Sequence, residues 1–369
     1  MTTTIRRSIG VRRPRPVRAA LAVFTGSVAV AVGVGLGVPH LMKNDPGLLA
    51  ATGVVVLAVG AVLLLTGSVA LVRSLHGWWS RLLAVLVVFA LVVVSLVSLG
   101  QAVAATSVPR IGVGPDTPGR HGLTAVDASF RTNDGVTLSG WYIPTTNGAA
   151  VALLHGAGST RSAVLDHAAV LARHGYGVLL FDARGHGRSG GRAMDFGWYG
   201  DSDLEAAVSY LRTRTGVAAD RIGAVGLSMG GEEAIGAAAA DSRIRAVVAE
   251  GATGRVAADR AWLSNEYGWR GGVQEGLEWL TTTWTALLTS ADRPTVLRDA
   301  VAATAPRQVL LIAGGANSDE VAADRYIQSA SPTNVELWVV PDSGHTAALR
   351  THAEQWEQRV STFLDAALR

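Results

Sequence analysis

Few residue patterns in this 369-residue chain could do covalent chemistry, and most of them lie in its second half. Gly226-Leu227-Ser228-Met229-Gly230 is a G-x-S-x-G string. It directly follows an apolar strand pattern and opens an alanine-rich helix pattern. That is where glycines permit a sharp turn that leaves a serine hydroxyl exposed. With 43 glycines in the chain, the string alone is weak evidence, and its placement supplies the weight. A serine hydroxyl is a poor nucleophile until a base takes its proton. His345, in Pro341-Asp342-Ser343-Gly344-His345, follows a late apolar strand and precedes the last helix. His352, the other histidine of that region, begins the last helix and reads as a surface or capping residue. His155, His167, His174 and His186 precede the serine, against the order Ser…acid…His. The acid should follow the strand at residues 308–313, in Gly314-Gly315-Ala316-Asn317-Ser318-Asp319-Glu320. Asp319 is the expected acid and Glu320 the alternative. Both also suit the first turn of a helix, where the dipole favours negative charge.

His155-Gly156-Ala157-Gly158 follows another apolar strand. The loop fits one half of an oxyanion hole, with the backbone N–H of Ala157 and of Met229 as donors. There is no cysteine, which excludes disulfides, thiolate nucleophiles and Cys-ligated metals. The histidines show no metal-ligand spacing, so neither metal nor cofactor is expected.

These residues need a frame of alternating strands and helices, the pattern of an α/β fold with a largely parallel sheet. Residues 125–131 and 136–143 alternate apolar and polar around Asn133-Asp134-Gly135 and predict an antiparallel hairpin. Further strands are predicted at 149–154, 177–181, 221–226, 244–249, 308–313 and 335–340. Helices are predicted at 160–173, 201–212, 229–240, 320–330 and 353–367. Residues 252–305 break the rhythm and form a lid. It holds Trp262, Trp269, Trp279 and Trp284, candidates to line an apolar acyl pocket or to touch lipid headgroups. Ordinary packing of a small cap is the plainer reading.

With these motifs in order, residues from about Val126 onward resemble the α/β-hydrolase superfamily. The turn Asp182-Ala183-Arg184-Gly185-His186-Gly187-Arg188-Ser189 is similar to the D-x-R-G-x-G-x-S loop of hydrolases related to serine aminopeptidases and membrane-associated acyl-protein hydrolases. The resemblance implies a mostly parallel sheet flanked by helices, a small lid, and a catalytic Ser228, His345 and Asp319. It also implies structural roles for Asp182 and Arg184, paired with each other. One departure stands out. The family's acid spacing is G-x-x-D, whereas Asn317 stands three residues after Gly314, so a short insertion must carry the acid to Asp319.

The composition is apolar for such an enzyme: 49% hydrophobic and 17% charged, with mean hydropathy +0.29. The average conceals two unlike parts. Residues 1–106 hold nine basic residues and one acid, and the remainder holds 23 basic and 28 acidic residues. A basic arm thus joins an acidic body, which removes any hint of nucleic-acid binding. In the arm, residues 19–42, 46–72 and 82–108 are uncharged and apolar, each long enough to span a bilayer. Six arginines precede the first stretch, and the second loop carries Arg73 and Arg81 with Trp78 and Trp79 as interface anchors. The positive-inside rule then places the N-terminus in the cytoplasm and everything after residue 108 outside. The pairs Arg6-Arg7 and Arg12-Arg13 evoke a twin-arginine signal, but three long spans argue against it. With no ionisable pair inside them, the spans read as an anchor rather than a transport path, packed through small residues such as Gly33, Gly35 and Gly37.

The expected organisation is therefore a basic cytoplasmic N-terminus (1–18), a three-helix transmembrane anchor (19–108), a Pro/Gly-rich linker (109–123) and an α/β-hydrolase domain (124–369) with its lid at 252–305. The expected activity is hydrolysis of an ester or thioester through an acyl-enzyme. The partners are a small-molecule or lipid-like acyl substrate and the membrane. A peptidase with the same residues, and a non-catalytic membrane-tethered binding module, are the competing readings.

Overall fold

The computed structural model describes residues 16–43 and 47–368. Arg6, Arg7, Arg12, Arg13, Arg15 and Asp45, on which part of the orientation argument rests, lie outside the described residues. The chain divides into two compact units, residues 1–104 and 105–369.

In the first unit three helices form: α1 (Pro16–Met42), α2 (Leu48–Ser74) and α3 (Trp78–Thr106), the last passing through one π-helical turn at Leu96–Gly100. All three are long and apolar enough to cross a membrane. Many of their large apolar side chains, such as Val55, Leu65, Leu83 and Phe89, face outward. Contact between α1 and α2 is made by glycines. A β-carbon on Gly26 or Gly33 would come within 2.5 Å of the backbone of Leu64 or Leu57, and one on Gly53 within 2.4 Å of Gly37. Only small residues allow two helix backbones so near each other. Gly35 faces Gly100 of α3 in the same way.

The second unit is built on one eight-stranded sheet: β1 (Val126–Arg131), β2 (Thr137–Ile143), β3 (Ala150–Leu154), β4 (Gly177–Phe181), β5 (Ile222–Leu227), β6 (Ile244–Glu250), β7 (Gln308–Gly314) and β8 (Val335–Val340). Their order is β1-β2-β4-β3-β5-β6-β7-β8. β1–β2 and β2–β4 are antiparallel, and every later pairing is parallel. The expected strands are all present within one residue at either end. Strands β3, β4 and β5 are buried along their whole length, as continuous apolar runs covered on both faces must be.

The helices follow in chain order: α4 (Leu165–Arg173), α5 (Gly200–Leu211), α6 (Met229–Ala240), α7 (Leu263–Tyr267), α8 (Trp269–Leu288), α9 (Leu297–Thr304), α10 (Ser318–Gln328), α11 (Ala348–Thr351) and α12 (Ala353–Leu368). On one face, Leu165 and Leu171 of α4 and Trp356, Val360 and Leu364 of α12 pack on Val151, Leu153 and Val225. On the other, α5, α6, α9 and α10 pack on Ala152, Leu154 and Ala224. The alternation along β3 sends successive side chains to opposite cores, the period-two rule of a strand.

Residues 252–305 insert between the neighbouring strands β6 and β7. Asp259 closes the base of this cap. Its Oδ2 accepts from the backbone N–H of Arg255 and Val256, and its Oδ1 from that of Leu297, the first residue of α9.

Candidate active site

Ser228 sits between β5 and α6 with φ 54° and ψ −121°. This conformation is strained for a residue with a side chain and typical of functional turns. The flanking glycines make the turn possible. A β-carbon on Gly226 would lie 2.1 Å from the carbonyl oxygen of Gly230, and one on Gly230 would lie 2.7 Å from that of His155. Ser228 is the residue before α6, so the helix N-terminus favours an anion forming at its side chain.

A continuous hydrogen-bond chain runs from this hydroxyl. Ser228 Oγ lies 2.9 Å from His345 Nε2, and His345 Nδ1 lies 2.6 Å from Glu320 Oε2. The carboxylate fixes the tautomer: Nδ1 carries the proton and Nε2 is free to accept one. The hydrogen bond to Glu320 raises the His345 pKa above its usual 6.5, against the effect of partial burial. The His345 side chain is 44% exposed, whereas Glu320 is fully buried.

The structure corrects the expected acid. Asp319 does not reach His345; its carboxylate accepts a hydrogen bond from the Tyr267 hydroxyl. Asn317 caps α10, its side chain accepting from the backbone N–H of Glu320. The helix therefore begins at Ser318, and Glu320, Ala323, Asp324 and Ile327 form its buried stripe. Glu320 belongs to the inward face and Asp319 to the outward one. Glu320 Oε1 also accepts from the Gly314 N–H at 2.6 Å, which locks the carboxylate in place. One turn later, Asp324 is wholly buried and neither oxygen has a partner among the described residues. Burial and the nearby Glu320 and Glu232 push its pKa well up.

The loop after β3 comes up beside the serine. A β-carbon on Gly156 would lie 3.3 Å from that of Ser228. His155 holds this loop from below: its Nδ1–H donates to the Gly156 carbonyl and its Nε2 accepts from the Ala183 N–H. Burial and the adjacent His186 ring lower its pKa to about 3, so it stays neutral. Ala157, in this loop, and Met229, the first residue of α6, are the two candidate oxyanion donors.

Asp182 and Arg184 are not paired with each other, contrary to expectation. Asp182 accepts from the backbone N–H of Arg161 and Arg188 and faces the Arg161 guanidinium at 3.7 Å. Arg184 pairs with Asp203 and Asp134 and stacks on Tyr199. Both stabilise the turn that carries Ala183, the partner of His155.

The four lid tryptophans are not gathered into a pocket. Trp262 is buried beside Leu263 and Ala323, while Trp269, Trp279 and Trp284 lie on the outer side of α8. His352 follows α11, and its ring nitrogen Nδ1 lies 3.1 Å from the hydroxyl of its neighbour Thr351.

Glu250 is a site residue that the sequence gives no reason to select. Its carbonyl accepts the Ser228 N–H at 2.7 Å. Its buried carboxylate accepts from the Ala348 N–H, three residues beyond His345, and from Trp356 Nε1. The Ser228 turn and the His345 loop are thus braced by one residue. Next to it, a β-carbon on Gly251 would press within 2.7 Å of the His345 ring.

The strand order, the strained serine turn and the three βα-end loops that meet there define an α/β hydrolase. Comparison with known proteins agrees. Residues 145–303 match the family model described as serine aminopeptidase, S33. The thiohydrolase aneE of Aspergillus aculeatus is 36% identical over 134 residues, 34% of this chain and 41% of that protein. The polyketide transferase grgF of a Penicillium species is 35% identical over 136 residues, 34% of this chain and 45% of that protein. The chain thus spans less than half the length of these two curated relatives. A crystal structure of an esterase from Pyrococcus furiosus superposes with TM-score 0.58 at 28% identity, over 71% of this chain and 97% of that one. The second unit of the chain has the α/β-hydrolase fold.

Proposed function

We propose that this protein is a membrane-anchored serine hydrolase that cleaves an ester or thioester through Ser228, His345 and Glu320. The observation that carries the reading is the unbroken hydrogen-bond chain from Ser228 Oγ through the His345 ring to the buried Glu320. His345 Nε2 takes the proton as Ser228 Oγ attacks the acyl carbon. The N–H groups of Ala157 and Met229 hold the oxyanion. The imidazolium, steadied by Glu320, passes its proton to the departing alcohol or thiol. Water, activated by the same ring, then releases the acid from the acyl-enzyme. The esterase and thiohydrolase among the similar proteins support this substrate class.

The three apolar helices support anchoring, and the arginines near the N-terminus, with Arg73 at the end of α2 and Arg81 at the start of α3, support a cytoplasmic N-terminus with residues 109–369 outside. Protease treatment of intact cells should then remove the hydrolase domain. A protected domain would refute that orientation.

Labelling of membranes with a fluorophosphonate probe tests the chemistry. The wild type should label, and Ser228→Ala and His345→Ala should not. Persistent labelling of Ser228→Ala would overturn the assignment. The serine-aminopeptidase description of the family model keeps a peptidase reading in play. Turnover of aminoacyl anilides faster than of p-nitrophenyl esters would favour it.

A further inference from the structure

The cap helix α8 is built inside out. Its buried residues are Gly271, Thr281, Thr282 and Thr285. Trp269, Val273, Trp284 and Leu287 recur at helical spacing on the opposite face, and all are exposed. Trp269 is 80% and Leu287 71% exposed, while Thr285 is fully buried. Trp279, 62% exposed, lies beside this stripe. A surface helix in water normally turns its apolar stripe inward. Here threonines pack on the domain and tryptophans face out, so the stripe is built for a medium other than water.

We propose that this face of α8 is a lipid-docking surface that rests in the headgroup region of the bilayer. The inference builds on the membrane-anchored reading above. Two features select lipid as the occupant. The same chain carries three helices able to span a membrane. About 19 residues separate Thr106 from the first strand, a tether of at most about 65 Å even fully extended. With those helices in a bilayer, the domain stays within reach of it, at a high effective concentration of lipid. The residue types agree. Tryptophan is the side chain enriched at the headgroup level, and an apolar helix face lying in the interface plane is the usual monotopic arrangement. Charge is sparse on α8: Arg270, Glu275 and Glu278 are its only ionisable residues, and Glu275 turns away to accept from the Ser264 N–H. The proposed contact is thus mainly apolar and independent of anionic lipid.

The chain has no cysteine, so a single introduced thiol can be labelled without background. The full-length protein carrying Val273→Cys, Leu287→Cys or Gln274→Cys, each modified with an environment-sensitive fluorophore, would be reconstituted in phosphatidylcholine vesicles. Nitroxide-bearing lipid should quench the labels at 273 and 287 several-fold more than the label at 274. Iodide in the water should show the reverse preference. Equal lipid quenching at all three positions would overturn the proposal. Labels at 273 and 287 shielded from both quenchers would also overturn it, because they would show a face covered by a second copy or another protein. Flotation of the protein with the same vesicles reports separately on anchoring by α1–α3, so failure of the docking surface is distinguishable from failure of the membrane-anchored reading.

Discussion

Exchanging one oxygen of Glu320 for nitrogen tests the site at its most specific point. In Glu320→Gln the side chain keeps its length, but one end becomes an NH2 donor. Two donors face the native carboxylate: the Gly314 N–H at Oε1 and the His345 Nδ1–H at Oε2. The amide oxygen can satisfy only one of them. With the oxygen kept on Gly314, the NH2 donates to Nδ1, and the ring proton must move to Nε2. Nε2 then points a proton at Ser228 Oγ and cannot act as a base. In serine proteases the equivalent wrong tautomer costs about 10⁴ in kcat, or about 5 kcal/mol of transition-state stabilisation. The opposite placement leaves the amide NH2 against a buried backbone donor, a loss of about 1–3 kcal/mol in stability. The expected outcome is therefore a fall of three to four orders of magnitude in p-nitrophenyl ester turnover. Asp319→Asn, whose Oδ1 can still accept from the Tyr267 hydroxyl and which has no hydrogen bond to His345, should stay within a few-fold of wild type. A crippled Asp319→Asn beside an active Glu320→Gln would refute the reasoning.

Four further outcomes follow from the geometry. Because Glu320 raises the His345 pKa, the acid limb of kcat/KM should lie above pH 6.5, and in the residual activity of Glu320→Gln it should move to lower pH. The same raised pKa adds stability below the unfolded-state value near 6.5, and that contribution fades as pH rises through the folded value. His155 has the opposite sign: with a folded pKa of about 3 against 6.5, its neutral burial stabilises the domain above pH 6.5. That contribution, at most about 5 kcal/mol, is lost as pH falls toward 3, and thermal melts of His155→Gln should show a shallower acid slope. Gly226→Ala drives a methyl to 2.1 Å from the Gly230 carbonyl, so probe labelling should be lost with a stability cost of about 3 kcal/mol. Trp356→Phe removes one of two donors from the buried Glu250 carboxylate, and a drop of about 1–3 kcal/mol should appear in chemical denaturation.

Much of this architecture is legible in the sequence because it obeys local rules. β3, β4 and β5 are short apolar runs bounded by glycine, and Ser228 and His345 occupy the turns that follow strands. The carboxylate that meets His345 could have been found by the same periodicity. Ala323 and Ile327 mark the inward face of α10, and Glu320 lies three and seven residues before them, with Asn317 as the cap. Family spacing drew attention to an aspartate, but the longer glutamate side chain reaches the histidine from inside the helix. The tryptophans misled for a different reason. Composition says that α8 is aromatic, yet only the buried threonines show which way it faces. Glu250 was beyond reach, because its partners lie 98 and 106 residues away. The Arg184 pairing with Asp134 and Asp203 spans 50 and 19 residues and is also beyond local rules.

Asp259 has a consequence for how such enzymes diversify. One carboxylate fastens the chain where it leaves the sheet region at Arg255 and Val256 and again where it returns at Leu297. The sheet on either side is already joined, since β6 pairs directly with β7. Changes of length within residues 260–296 thus leave the pairing of β6 with β7 untouched, while Trp262 and Tyr267, which meet α10, mark positions that such changes must keep.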